Sequence, residues 1–197
     1  QKADFFKAPE VFNGDFNFRV KTSATGMFKV YSAYSKNHLG LRSKDIDSAD
    51  LKNAFELTNE NWYTNISYKE RIANRWKLNA GISFSINKDD IAQQVQNQDN
   101  KPVSNGLPSY IDVKSFTVKN NNQLAQARVV LEHKLSGLSA IRFGTEYMYG
   151  RDVTRFMQYR SLLEDHFNAA FAEGDIYLTN NLAAKVGARL EHSSLID

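Results

Sequence analysis

The acidic run Asp45 to Asp50, read DIDSAD, is the stretch whose residue types come nearest to a metal site. Its carboxylates have a spacing compatible with the oxygen ligands of a calcium-binding loop. The run lacks the full twelve-residue pattern of such a loop, including the glutamate that closes it. We therefore expect a solvated outer loop here, with no bound ion.

The other reactive side chains indicate no catalytic or metal centre. The four histidines, His38, His133, His166 and His192, have no paired ligand spacing. Serine and histidine both occur, but no nucleophile elbow or comparable catalytic signature accompanies them. The sequon at Asn65 lies within a predicted strand, where glycosylation is not expected. We expect a protein that is not an enzyme and that carries neither a metal nor another cofactor.

Composition argues against a membrane protein with spanning helices and against a nucleic-acid-binding protein. Hydrophobic residues make up 42% of the 197 residues, yet no apolar run of about 18 residues occurs, which excludes membrane-spanning helices. Strands of a membrane barrel remain possible because they hide only every second residue from water. The net charge of +3 is not clustered beside stacking aromatics, so no nucleic-acid partner is expected. Three prolines and ten glycines leave no obvious linker, and residues 1–197 are expected to form one unit.

Apolar and polar residues alternate with period two through most of the chain, which predicts an all-β antiparallel meander of about eight strands. The clearest example runs from Trp76 to Ile86, where Leu78, Ile82 and Phe84 share one face. The predicted strands are Phe16–Lys21, Met27–Tyr34, Trp62–Lys69, Trp76–Ile86, Ala125–Glu132, Ile141–Tyr149, His166–Leu178 and Leu182–Glu191.

Connections between these strands alternate between short and long. A meander with short turns at one end and long polar loops at the other is typical of an outer-membrane barrel, with the long loops outside the cell. The predicted short turns are Thr22–Gly26, Glu70–Arg75, Leu135–Ser139 and Thr179–Asn181, and the predicted long loops are Lys36–Asn61, Asn87–Leu124 and Arg151–Glu164.

Charge placement indicates which face of the strands meets water. A three-residue hairpin at Ser136–Leu138 would place Glu132 opposite Arg142 and Arg128 opposite Glu146, with Leu131 opposite Phe143 on the other face. An arginine turned toward the bilayer midplane costs about 2 to 4 kcal/mol, so the aliphatic face is predicted to meet lipid. The predicted lumen-facing residues are Lys77, Arg128, Glu132, Arg142, Glu146, Lys185 and Arg189, and the predicted lipid-facing residues are Leu78, Ile82, Phe84, Val129, Leu131, Phe143, Val186 and Leu190.

The strand His166–Leu178 allows two interpretations. Pairing Asp175 with Lys185 places the acids in the lumen together with Phe167 and Phe171, whereas a β-bulge near Glu173 would switch the facing. Three aromatic residues in the predicted loops, Tyr110, Phe156 and Tyr159, are candidates for ligand contact from outside.

The segment FAEGDIYLTNNLAAKVGARLEHSSL, residues 171–195, resembles a hairpin of TonB-dependent outer-membrane receptors, particularly those of Bacteroidetes-type bacteria. The shared features are a strand of small and aromatic residues with an acidic end, a polar turn, and the aliphatic strand Val-Gly-Ala-Arg-Leu-Glu. Such receptors have a barrel of about 22 strands around an N-terminal plug. This chain has about eight predicted strands, no plug-like region and no terminal aromatic residue, so the resemblance implies an internal barrel segment.

What the resemblance implies for function is energised uptake of a bulky nutrient, such as a siderophore, haem, a glycan or a peptide, in the bacterial outer membrane. The implied partners are outer-membrane lipid, the remaining barrel strands and the plug, and the TonB energy-coupling system through parts outside this chain. Two alternatives remain: a free-standing eight-strand barrel with a structural or adhesive role, and a soluble β-sandwich or lipocalin-like binding protein. Pairing of the first strand with the last would indicate the free-standing barrel.

Overall fold

A computed structural model describes residues 4–103, 108–179 and 181–196, and most of them lie in one antiparallel sheet. Eight strands follow one another in chain order, each hydrogen-bonded to the next. The all-β meander predicted from the sequence is therefore confirmed. The strands are β1 Asp4–Lys21, β2 Met27–Lys44, β3 Leu51–Ala73, β4 Trp76–Asn97, β5 Phe116–Lys134, β6 Ala140–Phe156, β7 Tyr159–Thr179 and β8 Leu182–Ser193, and a short helix, α1 Ser109–Asp112, precedes β5.

No helix in these three described ranges has the length and apolar character needed to cross a bilayer.

The strands are longer than predicted, so two of the three predicted long loops are wrong and the third is shorter than predicted. The predicted loop Lys36–Asn61 consists mostly of β2 and β3 joined by residues 45–50, and Arg151–Glu164 is β6 and β7 joined by Met157 and Gln158. In the part of the chain that the structure describes, the one long connection is that between β4 and β5, and it lies within the predicted loop Asn87–Leu124. Apolar and polar residues stop alternating regularly in these parts of the strands. The strands continue because main-chain hydrogen bonds hold them together, and those bonds do not require apolar side chains.

The short turns and the hairpin register agree better with the sequence. Short connections follow β1, β3 and β5, and the turn after β5 contains Gly137 with a φ of 60°. The predicted cross-strand pairs Glu132–Arg142, Arg128–Glu146 and Leu131–Phe143 are all confirmed. Asn180 of the predicted last turn, residues 104–107 of the second predicted loop, and Asp197 lie outside the described residues.

The sheet is a single layer, so very few side chains are buried. Large apolar residues instead stand exposed, among them Val186 at 68% and Leu190 at 79%. A soluble sandwich would cover such a face with a second sheet, and the described residues contain only one sheet. Within the described chain, β1 and β8 each pair on one side only, so the sheet does not close at eight strands.

Candidate functional site

The seven residues predicted to face a lumen lie together on one side of the sheet. Directly opposite partners share a face, and the chain of partners from Lys77 through Glu132 and Arg142 to Glu173 links β4 to β7. We call this side the charged face and the other the aliphatic face. The eight residues predicted to face lipid all lie on the aliphatic face. The register does not identify what each face meets, and that part stays a prediction.

One cluster on the charged face is centred on Arg142. Its Nε donates to Glu132 Oε2 at 3.0 Å, and its Nη1 contacts Glu173 Oε1 at 3.1 Å and Asp175 Oδ2 at 2.6 Å. Lys77 Nζ donates to Glu132 Oε1 at 3.0 Å, and Lys185 Nζ on β8 contacts Glu173 Oε2 at 3.5 Å. Five strands, β4 to β8, are thus joined by ion pairs on this face.

A second cluster is centred on Glu146. Arg128 Nε contacts Glu146 Oε1 at 3.0 Å and Arg189 Nη2 donates to Glu146 Oε2 at 2.7 Å. Arg189 lies on β8, two strands away, and it reaches across β7 where the intervening residue is the small, buried Ala169. The sequence predicted the contact between Arg128 and Glu146 on adjacent strands, but it predicted no partner for Arg189.

The facing of the seventh strand is settled by continuous register. Asp175 lies opposite Lys185, and no bulge occurs between Phe167 and Tyr177. Phe167 and Phe171 therefore lie on the charged face. Phe171 stands over Gly144, where a Cβ atom would come within 2.2 Å of the ring, and the guanidinium of Arg128 lies 5.3 Å from the ring centre. The Phe171 ring therefore forms a cation–π contact with Arg128 on the charged face.

A ladder of amide side chains continues the charged face along β2 to β4, toward the end of the sheet that carries residues 98–115. Asn59 Nδ2 donates to Asn87 Oδ1 at 3.0 Å and to Asp89 Oδ1 at 2.6 Å, and Asn61 also donates to Asn87. Carboxamides present donors and acceptors together, which suits neutral polar ligands such as sugars or peptide groups. Sequence reasoning missed this ladder because it placed these residues in loops. The available signal was asparagine or aspartate at every second position.

The run Asp45–Asp50 joins β2 to β3 and is mostly exposed, as expected of a solvated loop, but its first residue, Asp45, is buried. The Asp45 side chain is 0% exposed and accepts from Lys114 Nζ at 2.7 Å, from Asn53 Nδ2 at 2.7 Å and from the Asp47 backbone N–H at 2.9 Å. Burial alone would raise the pKa of Asp45, but these donors outweigh burial and lower that pKa to about 2. The Lys114 ammonium thus supplies the positive charge at this turn, and its own pKa is raised by Asp45 and Asp47.

The three candidate ligand-contact residues lie at the same end of the sheet. Tyr110 is in α1 and is 60% exposed, whereas Phe156 ends β6 and Tyr159 begins β7. The loop placement of these last two residues was wrong, because they lie opposite one another in the ladder. Phe156 stacks with Phe116 at 6.0 Å between ring centres. Their contact with a ligand stays a prediction.

Comparison with known proteins adds one finding on the fold. No family model matches the sequence, and no curated protein matches it. Among solved structures, the chain is similar to the crystal structure of the outer membrane transporter YddB from Escherichia coli, with a TM-score of 0.50 and 10% sequence identity. The likeness covers 94% of this chain and 34% of that transporter, so the chain spans about a third of the length of the protein it resembles. The eight-strand meander is therefore similar in fold to part of an outer-membrane barrel.

Proposed function

We propose that this chain forms eight consecutive strands of a larger outer-membrane transport barrel, with the aliphatic face toward lipid and the charged face toward an aqueous lumen. The observation that carries the proposal is a bounded apolar band on one face. On β4 this band runs from Trp76 to Ile86, after which the same face continues with Lys88 and Asp90. Ten residue steps span about 34 Å along a strand, or about 26 Å of height at a tilt near 40°, which matches the hydrophobic band of such barrels.

The charged face has the composition that a lumen requires. Clusters around Arg142 and Glu146 pair most of their charges laterally, yet their side chains remain partly exposed, with Arg128 at 60%. Water in a wide lumen would solvate those exposed groups, whereas lipid would not.

The two free edges support a barrel larger than eight strands. An unpaired edge strand presents a row of main-chain donors and acceptors that invites pairing. Here β1 has 18 residues and β8 has 12, so both edges are long. In the proposed barrel, further strands of the same protein pair with both of these edges.

At a finer level we propose a TonB-dependent receptor that takes up a bulky nutrient, such as a siderophore, haem, a glycan or a peptide, in the bacterial outer membrane. Support comes from the resemblance carried by residues 171–195 and from the likeness in fold to an outer membrane transporter. The plug and the TonB-contacting segment would lie in other parts of the protein. The role is transport, not catalysis.

The facing of the two sides can be tested with spin labels in the full-length, membrane-inserted protein. Val129 and Arg128 are a matched pair, because they are neighbours on β5 and lie on opposite faces. A label at Val129 should be accessible to oxygen dissolved in lipid, and a label at Arg128 should be accessible to a water-soluble relaxation agent. The reverse pattern would contradict the proposed facing.

Energy coupling is tested separately in cells. Growth on candidate nutrients should fail when the full-length gene is deleted, and uptake should stop when the proton gradient is collapsed. Uptake that persists without the gradient would contradict the TonB-dependent part of the proposal while leaving the barrel intact.

A further inference from the structure

A row of like charges crosses three strands on the aliphatic face. Lys119 on β5 lies directly opposite Arg155 on β6, and Arg155 lies directly opposite Arg160 on β7. Like charges at opposite positions destabilise an antiparallel pair. Arg151 lies on the same face of β6, four residues before Arg155. We call these four residues, Lys119, Arg151, Arg155 and Arg160, the cation row.

The acids nearby neutralise only half of the cation row. Asp90 contacts Lys119 at 2.9 Å, and Glu164 contacts Arg151 at 2.8 Å. In the part of the chain that the structure describes, Arg155 and Arg160 form neither an ion pair nor a side-chain hydrogen bond. Four cations against two carboxylates leave two positive charges, both on exposed arginines.

The cation row surrounds a depression in the protein surface. A cavity of about 250 Å³ is lined by all four cations together with Asn121 and the buried Val153. This volume is several times that of a water molecule, so a phosphate group and its attached carbons fit within it. Two guanidinium groups side by side are suited to the oxygens of a phosphate, which they can contact in pairs.

The height of the cation row on the sheet indicates where its ligand comes from. Tyr147 and Tyr149 precede Arg151 on the aliphatic face of β6, and the Tyr149 hydroxyl donates to Glu164 at 3.2 Å. Tyrosines at the end of an apolar band lie at headgroup level in a membrane. A cationic cavity immediately beyond them therefore lies where lipid phosphates are concentrated.

We propose that the cation row binds the phosphate groups of a phosphorylated lipid headgroup in the outer leaflet. This inference rests on the proposed function, because it requires the aliphatic face to meet lipid. The bound phosphate supplies the negative charge that Arg155 and Arg160 lack within the described chain. It also fixes the depth of the barrel in the membrane, since the site adjoins the tyrosines at the edge of the band.

The test compares two double variants of the full-length protein. R155Q/R160Q removes the two unpaired charges, and R75Q/K134Q removes two charges at the other end of the same sheet. The probes are lipid A in detergent micelles, the same lipid with its phosphates removed, and inorganic phosphate. Binding is followed by native mass spectrometry and by a titration at two salt concentrations.

We expect lipid A to bind R155Q/R160Q about tenfold or more weakly than the parent protein, because two charge-assisted contacts to phosphate are lost. The dephosphorylated lipid should bind the parent protein as weakly as lipid A binds R155Q/R160Q. R75Q/K134Q should bind lipid A as tightly as the parent protein does. Equal binding by R155Q/R160Q and the parent would overturn the site. Inorganic phosphate that displaces lipid A at equal concentration would overturn the lipid assignment, because the site would then select the anion alone.

Failure of the proposed function gives a different result. If the aliphatic face did not meet lipid, the spin label at Val129 would report water, whatever R155Q/R160Q does to lipid A binding. If the label reports lipid and R155Q/R160Q binds lipid A normally, the barrel assignment stands and the phosphate site is wrong.

Discussion

At the scale of single residues, Gly144 on the charged face has no room for a side chain beneath the Phe171 ring. A Cβ atom at Gly144 would lie 2.2 Å from the Phe171 ring, so G144V must displace that ring. We expect a loss of about 1 to 3 kcal/mol in the free energy of unfolding, typical of overpacking. Urea unfolding of the folded protein in lipid bilayers measures this.

Gly150 provides the matched control for this substitution. It lies on the same strand and the same face as Gly144, and nothing lies within 4 Å of a Cβ atom built there. G150V should therefore leave stability nearly unchanged, and F171A should relieve most of the effect of G144V. Equal losses for G144V and G150V would show that valine is poorly tolerated in β6 for another reason.

The buried Asp45 carboxylate predicts a local acid transition. Its pKa is lowered to about 2 in the folded turn, below the value of about 3.9 for an unfolded aspartate. The carboxylate therefore stabilises the turn above pH 4, and that stabilisation is lost as the pH falls from about 4 to about 2. Hydrogen-exchange protection of the Asp47 and Ser48 amides, corrected for intrinsic rates, should fall across this range.

The D45N variant tests the cause of this transition. It keeps an acceptor oxygen for the two backbone amides but removes the charge that pairs with Lys114. Protection in D45N should be lower at neutral pH and should not change between pH 4 and pH 2. A transition in D45N identical to that of the parent would assign the titration to another group.

At the scale of strands, the sequence predicts the part of each strand that carries the apolar band. It misses the polar extension of the strands beyond that band. The alternation from Trp76 to Ile86 predicts β4 because one face is continuously apolar, but from Lys88 onward polar residues predominate on both faces, with Ile91 and the buried Val95 among them. The ladder nevertheless continues to Asn97, since Asn59 and Asp89 form side-chain bonds across it. Alternation of hydrophobicity thus reports the segment of a strand that has one apolar face, and not the full length of the strand.

Contacts on the charged face were predictable only between adjacent strands. The turn at Gly137 fixes the register of β5 and β6, and from it the pairs Glu132–Arg142 and Arg128–Glu146 follow. The contact from Arg189 to Glu146 spans two strands and depends on a small residue between them, which no local pattern reveals.

Tag insertions separate true loops from strand extensions. Asn100 lies in the connection between β4 and β5 and has a φ of 62°, whereas Asn59 lies within β3 and bonds to two neighbouring side chains. A tag at Asn100 should be accepted and bound by antibody on intact cells, while a tag at Asn59 should prevent assembly. Binding at Asn100 only after permeabilisation would reverse the proposed topology, and full assembly with a tag at Asn59 would restore the loop interpretation.

At the scale of the whole molecule, the size of the charged face argues against closure at eight strands. An eight-strand barrel has an interior just wide enough for side chains to fill. The charged face here carries several arginines and, on β7, the rings of Phe167 and Phe171. These side chains are partly exposed on the open sheet and would compete for the same narrow space in a closed one.

Disulfide trapping tests closure directly, because this chain contains no cysteine. Leu131 and Phe143 lie directly opposite one another, so a cysteine pair there should cross-link under mild oxidation. Cysteine at Phe18 on β1, combined in turn with cysteine at Val186, Ala188 or Leu190 on β8, should not cross-link in the full-length protein, because other strands would separate the two edges. Efficient cross-linking of any β1–β8 pair would join the edges into an eight-strand barrel and would replace the receptor-segment proposal with the free-standing one.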